Sequence, residues 1–113
     1  MYPEEHFHST AHEVLVVSSG RARVQFGGDD NPAAVTVEVA CGDAMLVPAG
    51  VSHRMLEDIE GNFEMVGAYQ LEAEHWDMCY GKPEEDELIV RIKDLPWFDR
   101  DPLYGDQGPA VAC

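Results

Sequence analysis

Two stretches of this chain, well separated in sequence, carry side chains that form a coherent chemical set only if folding brings them to one point. The first is His6-x-His8, followed by Glu13 and Gly20; the second runs from Gly42-Asp43 through Pro48-Ala49-Gly50 to His53. Residues two apart on a β-strand share a face, so His6 and His8 can present two imidazoles side by side. Glu13 lies an odd number of residues beyond His8 and joins that face only if Ser9 to His12 turn or bulge, which small hydroxyl residues favour. His53 must arrive from a different strand. The turn Val47-Pro48-Ala49-Gly50 is suited to aim it, because proline fixes one φ and glycine permits a positive one. These requirements select a small β-barrel with the four groups around its interior.

The donor set His6, His8, Glu13 and His53 combines borderline nitrogens with one hard carboxylate. It suits one divalent transition metal ion: Fe, Mn, Ni, Cu or Zn. A six-coordinate ion held by these groups keeps two positions for water, dioxygen or substrate. A lone HxH is a weak signal; the joint spacing of histidines, acid, glycines and Pro-x-Gly turn carries the inference. His12 falls on the opposite strand face from Glu13, and His75 sits beside Trp76 in a loop-like stretch, so neither is expected to ligate.

The rest of the chain reads as all-β up to residue 82. Val14 to Ser18 is an apolar run suited to a strand buried on both faces, and Ser19-Gly20 turns it. Arg21 to Phe26 alternates polar and apolar; Gly27 to Pro32 is a dense turn cluster; Val35, Val37 and Val39 resume the alternation, giving a hairpin. Ala44 to Val47, His53 to Leu56 and Phe63 to Gln70 are further strands, the last two separated by a turn over Glu57 to Asn62. By period two, Leu15, Val17, Met45 or Leu46, Met55 and alternate members of Phe63, Met65, Gly67 and Tyr69 face the lumen with Glu13. Filling the core is the default role for each. Tyr69 and Arg54 are candidates for orienting an anionic substrate.

Beyond the strands, Pro83, the acids Glu84-Glu85-Asp86 and the stripe Leu88, Ile89, Ile92 and Leu95 predict a helix over 83–95, packed outside the barrel. Residues 96–113, rich in glycine and proline, read as an extended tail over the surface or a neighbour. The whole is expected to be one domain, 1–113.

Charge and cysteines bound the partners. A net charge of −15, with seven basic residues, repels phosphate backbones and anionic membranes, so no nucleic acid and no membrane is expected. The acids sit in runs that look like solvated loops and a helix start. No apolar stretch is long enough for a membrane span, and no tripartite leader opens the chain, which predicts a cytoplasmic location. Cys41, Cys79 and Cys113 have no metal-type spacing and read as free thiols, with Cys41 expected to pack as a small hydrophobe near the Gly42 turn.

At the quoted residues the chain resembles the cupins. His6-x-His8-x4-Glu13-x6-Gly20 is similar to their first motif, and Gly42-x5-Pro48-x-Gly50-x2-His53 to their second. The likeness to small single-domain YjlB-like cupins extends over His8 to Leu15, Val66-Gly67-Ala68-Tyr69, Trp76-Asp77-Met78-Cys79, Asp101 to Gly105 and Gly108-Pro109. It implies a jelly-roll barrel holding a metal through His6, His8, Glu13 and His53. The chain departs from the pattern in three places. A glycine six residues before the first histidine would precede Met1, Glu57 stands where an asparagine is common, and the segment before the histidine pair is short. The last departure predicts either a lost or misassigned start or an edge strand lent by a second subunit, with His6 less firmly anchored than His8 or His53. A homodimer is expected, because closed symmetry covers sheet edges.

Three functional classes stay open for such a centre. They are a mononuclear Fe/Mn oxygenase-type enzyme acting on a small molecule, a metal-dependent isomerase or lyase, and a noncatalytic cupin binding a metal or small ligand. The first leads. Apart from Glu13, no residue stands out as a general acid or base, so a catalytic residue cannot be assigned from sequence.

Overall fold

The chain from Glu13 onward folds into six strands: β1 (Glu13–Ser19), β2 (Arg21–Phe26), β3 (Val35–Ala40), β4 (Ala44–Val47), β5 (His53–Asp58) and β6 (Glu64–Tyr69). They are seen in a computed structural model that describes residues 1–112, so Cys113 lies outside the described residues. The strands pair antiparallel in two three-stranded sheets, β4-β1-β6 and β3-β2-β5, the two layers of the expected jelly roll. β1 and β2 are consecutive yet belong to different sheets. The chain crosses between layers at Gly20, whose φ of +75° and close approach to Asn62, where a Cβ would lie 2.6 Å from Oδ1, leave no room for a side chain.

Period two sorts the side chains. Leu15 and Val17 of β1, Ala22 and Val24 of β2, Val39 of β3, and Met45 and Val47 of β4 meet between the sheets. Met55, Phe63 and Met65 pack against them. Met45 is therefore the inward residue of its pair. Leu46 turns outward, where with Val16 and Trp97 it packs against a second cluster of Val14, Phe98 and Ala110. β1 is thus buried on both faces, as its continuous apolar run requires.

The cover on the outer face comes from the C-terminal segment, which is not simply extended. Trp97 Nε1 donates to the Ala110 carbonyl at 2.7 Å, and a short helix, α2 (Pro109–Ala112), returns over β1. Asp101 organises this return. Its carboxylate accepts the backbone N–H groups of Leu103, Tyr104 and Ala110, at 2.8, 3.1 and 2.9 Å. The region read as one helix over 83–95 is a 3-10 turn (Pro83–Glu85), α1 (Asp86–Arg91) and a second 3-10 turn (Ile92–Asp94). Its apolar stripe is shallow. Ile92 lies over the Gly50 turn, where a Cβ on Gly50 would stand 3.2 Å from Cδ1, whereas Ile89 remains 43% exposed.

Two residues depart from their expected surroundings. Glu85 is buried within the acidic run, because its carboxylate accepts the N–H groups of Tyr80 and Lys82 and closes that turn. Cys41 does not pack as a small hydrophobe: it is exposed beyond the end of β3, its thiol directed at the Ser18 carbonyl. No helix among the described residues is long and apolar enough to cross a membrane.

The backbone N–H groups of Ala110, Leu103 and Tyr104 hold the Asp101 carboxyl below the usual range against the opposing effect of desolvation. A lowered folded value means that the contribution is present above the ordinary aspartate pKa and fades as pH falls through the folded one. Asp101→Ala should therefore melt below the parent at neutral pH. That gap should close as the solution is acidified well below about pH 4, read by circular dichroism; a gap constant across pH would contradict it.

Candidate metal centre

The histidines meet because the backbone makes them meet. The His53 N–H donates to the His6 carbonyl at 2.8 Å and the His6 N–H to the His53 carbonyl at 3.2 Å. One residue on, Phe7 and Cys79 exchange both of their backbone hydrogen bonds at 2.9 Å, and the Gly50 N–H donates to the His8 carbonyl at 2.8 Å. Gly50 has φ +88°, the positive value that the Pro-x-Gly turn called for. The chain bends at Ser9-Thr10 before entering β1, as the spacing of Glu13 required. The imidazoles of His6, His8 and His53 consequently cluster, with one potential ligand atom from each within 4.8 Å of the others, and all three residues are buried.

Ring orientation follows from the second nitrogen. The Nδ1 atoms of His6, His8 and His53 lie 2.8, 2.5 and 2.9 Å from the carbonyls of Glu4, Asp77 and Val51. A carbonyl only accepts, so each Nδ1 carries a proton, and in the neutral ring each Nε2 is left with its lone pair. This is how metal-ligating imidazoles are held. His6 is not the weakly anchored member: it is 3% exposed and fixed through both ring and backbone.

Glu13 adjoins the triad from β1. Its Oε2 accepts the Tyr69 hydroxyl at 2.6 Å. Its Oε1 lies 3.4 Å from His8 Nε2 and 3.9 Å from His53 Nε2, buried and without a hydrogen-bond partner among the described residues. An unpartnered buried carboxylate oxygen is costly unless something positive completes it. Gly67 makes the space: a Cβ there would stand 2.8 Å from Glu13 Oε2. The gathered imidazoles fit a divalent transition ion, and His6, His8 and His53 are positioned to hold it; Glu13 adjoins them on the side of His8 and His53 and is not itself a member of the cluster.

The electrostatics agree. Burial pushes His53 down to about 4 and lowers His6, so both stay neutral donors at neutral pH. Burial presses His8 the same way, but the Glu13 carboxylate and the Asp77 carbonyl outweigh it and hold His8 above its ordinary value. A charge that draws a proton to His8 would draw a dication more strongly. Glu13 itself stays below the usual carboxylate range, because its His8 and Tyr69 partners outweigh its desolvation. Burial first, and then Glu13, push the Tyr69 phenol up, so it remains a donor.

The centre opens into a cavity of about 400 Å³ whose wall includes Tyr2, Leu15, Met65, Tyr69, Trp76 and Met78. Arg54, expected as a partner for an anionic substrate, instead reaches Asp29 at 3.2 Å and is absent from this wall. The Tyr69 hydroxyl is committed to Glu13. His12 accepts the Ala49 N–H at 2.9 Å and packs on Trp97, and His75 stacks on Trp76, so both lie outside the cluster as expected.

Asp77 is the member that reasoning from spacing missed. Its carboxylate accepts the Ser9 N–H at 2.7 Å, the Ser9 hydroxyl and the Cys79 thiol, while its own carbonyl takes the His8 ring proton. One residue thus clamps the bend after His8 and orients the ring. It stands 69 positions from His8, so no local pattern announces it. Asp77→Ala should weaken zinc binding by roughly ten- to a hundredfold, the range for groups that orient a ligand, with the far-UV spectrum preserved. Isothermal titration would test it, and an unchanged affinity would remove the Asp77 carboxylate, whose clamp on Ser9 the substitution deletes while the carbonyl stays, from the centre.

A family model for the Cupin domain matches residues 2–67, the stretch that contains the histidine triad and Glu13. The chain is also 36% identical over 112 residues to the uncharacterized protein YjlB of Bacillus subtilis (strain 168). That match covers 98% of this chain and 65% of the relative, so the chain spans just under two thirds of the relative's length. On the matched domain, the two facing sheets and the gathered histidines, this chain belongs to the cupin family.

Proposed function

We propose that this chain is a metal-dependent cupin acting on a small molecule, with His6, His8, His53 and Glu13 as the four protein ligands and iron- or manganese-dependent oxygenase-type chemistry as the reaction class. The observation that carries the reading is the orphaned Glu13 Oε1, aimed at the histidine triad beside an open cavity. A bound ion would supply Lewis acidity and sites where substrate and dioxygen can meet.

The chain's own residues do the rest. The three carbonyl-held imidazoles fix the donors before any ion arrives, so little ordering remains to oppose binding. Tyr69 occupies Glu13 Oε2 and leaves Oε1 for the metal. Leu15, Met65 and Trp76 provide an apolar wall against which a substrate can exclude water. Tyr69 keeps its proton at neutral pH, and Glu13 is the acid of the centre. That scarcity of proton-transfer groups favours chemistry performed at the metal. It is also the feature that supports the alternative, a noncatalytic cupin binding a metal or small ligand for sensing or structure. An isomerase or lyase, which would move protons on its substrate, is less well served.

The free thiols of Cys41 and Cys79 suit a reducing, cytoplasmic setting. We extend the proposal to a homodimer. Val35 and Val37 lie on edge strand β3 in register with Phe26 and Val24 yet are 53% and 37% exposed, apolar surface that a second copy would cover. Light scattering should give twice the chain mass; a monomer at micromolar concentration would overturn this part.

His53→Ala should lose most of its bound metal by elemental analysis, whereas full occupancy in that variant would overturn the ligand set. In the iron-loaded parent, oxygen uptake with a panel of small substrates distinguishes the reaction classes. Uptake coupled to product supports the oxygenase, turnover without uptake supports the isomerase or lyase, and metal binding without any turnover supports the noncatalytic reading.

A further inference from the structure

The cavity beside the histidine triad has no lysine or arginine side chain on its wall among the described residues, and all five arginines are paired elsewhere. Of its seven basic residues, five are arginines. Each pairs with a carboxylate: Arg21 with Glu38, Arg23 with Glu57, Arg54 with Asp29, Arg91 with Glu74 and Arg100 with Asp106, at 2.8 to 3.9 Å. Lys82 lies over the Tyr80 ring, and Lys93 is exposed on the 3-10 turn after α1. No lysine or arginine among the described residues lines the cavity. The Met1 amino group also lies at its wall, its pKa lowered by burial against the opposing charges of Glu13 and Asp58. What the wall does offer is thioether, aromatic and aliphatic surface from Met65, Met78, Trp76, Tyr2 and Leu15, with the Glu13 carboxylate on its floor.

We infer that the ligand of this pocket carries at most one anionic group, delivered to the metal, and presents an uncharged apolar or aromatic body to the Met65–Trp76–Met78 wall. This deepens the proposed function and rests on its metal reading. A second carboxylate or a phosphate would be desolvated against thioether and ring surface with no lysine or arginine of the described residues on the wall to meet it, and Glu13 would repel it. Dicarboxylates, including 2-oxo diacids used as oxidative co-substrates, and sugar nucleotides are thereby disfavoured. An oxygenase here would draw its electrons from the bound substrate or from a separate reductant.

The test uses two probes that differ only at the far end: hexanoate, ending in a methyl group, and adipate, ending in a second carboxylate. Protein is loaded with Co(II), whose visible absorption reports both occupancy of the centre and ligand arrival. Failure to take up about one equivalent of Co(II) by elemental analysis would strike the metal reading itself, independently of any probe. With the ion bound, hexanoate should bind at least about tenfold more tightly than adipate. The preference should survive a rise from about 0.15 to about 0.5 M salt, which screens the general negative field of the chain. Met78→Lys, which adds a cation to the wall, should move the preference towards adipate by about tenfold. Equal or tighter adipate binding, a preference abolished by salt, no response to Met78→Lys, or no binding of either probe to the loaded protein would each overturn the inference.

Discussion

The reciprocal backbone pair between His6 and His53 is the contact on which the remainder of the centre rests. It is a two-residue antiparallel bridge, made by segments 47 positions apart, and it sets two imidazole rings 4.3 Å apart before any side-chain interaction is considered. The bonds of Phe7 with Cys79 and of Gly50 with the His8 carbonyl continue the same seam. The N-terminal segment is thus stitched to β5, to the Pro-x-Gly turn and to the Trp76–Tyr80 stretch at once. Side-chain hydrogen bonds from Nδ1 then complete the orientation. Main-chain geometry supplies position, and ring protons supply direction.

Burial and charge act on this frame in opposite senses and leave a site poised for a cation. Desolvation holds His6 and His53 neutral, so their lone pairs are available. Glu13 keeps its charge because Tyr69 and His8 meet it. The result is one anionic oxygen beside two neutral imidazoles and a third, His8, that Glu13 draws towards positive charge, all of them buried. A metal ion bound to the folded state alone would stabilise that state by mass action.

Much of this was legible in the sequence because it is local or periodic. Period two placed Leu15, Val17 and Met55 inside, the Pro48-Ala49-Gly50 turn announced a change of direction before His53, and the bend at Ser9-Thr10 was forced by the odd spacing between His8 and Glu13. What stayed hidden depends on long-range contacts or on neighbours that spacing does not reveal. Asp77 looks like any loop aspartate until the chain folds against Ser9. Glu85 sits in an acidic run, and only its hydrogen bonds to Tyr80 and Lys82 explain its burial. Arg54 carries a charge suited to a substrate, but Asp29 on the same surface claims it. The choice between Met45 and Leu46 could not be made from a four-residue strand, since either register satisfies a short apolar run.

The two-sided burial of β1 links the C-terminal segment to the chemistry. Glu13 and Val14 are adjacent and point to opposite faces, the first into the metal cavity and the second against Phe98 and Ala110. The C-terminal segment therefore works as a backing plate for the strand that holds the acid. Swapping it for an unrelated sequence would leave every donor atom in the chain and still soften the seat of the carboxylate, so grafting this centre onto another scaffold would have to carry the backing along with the motif.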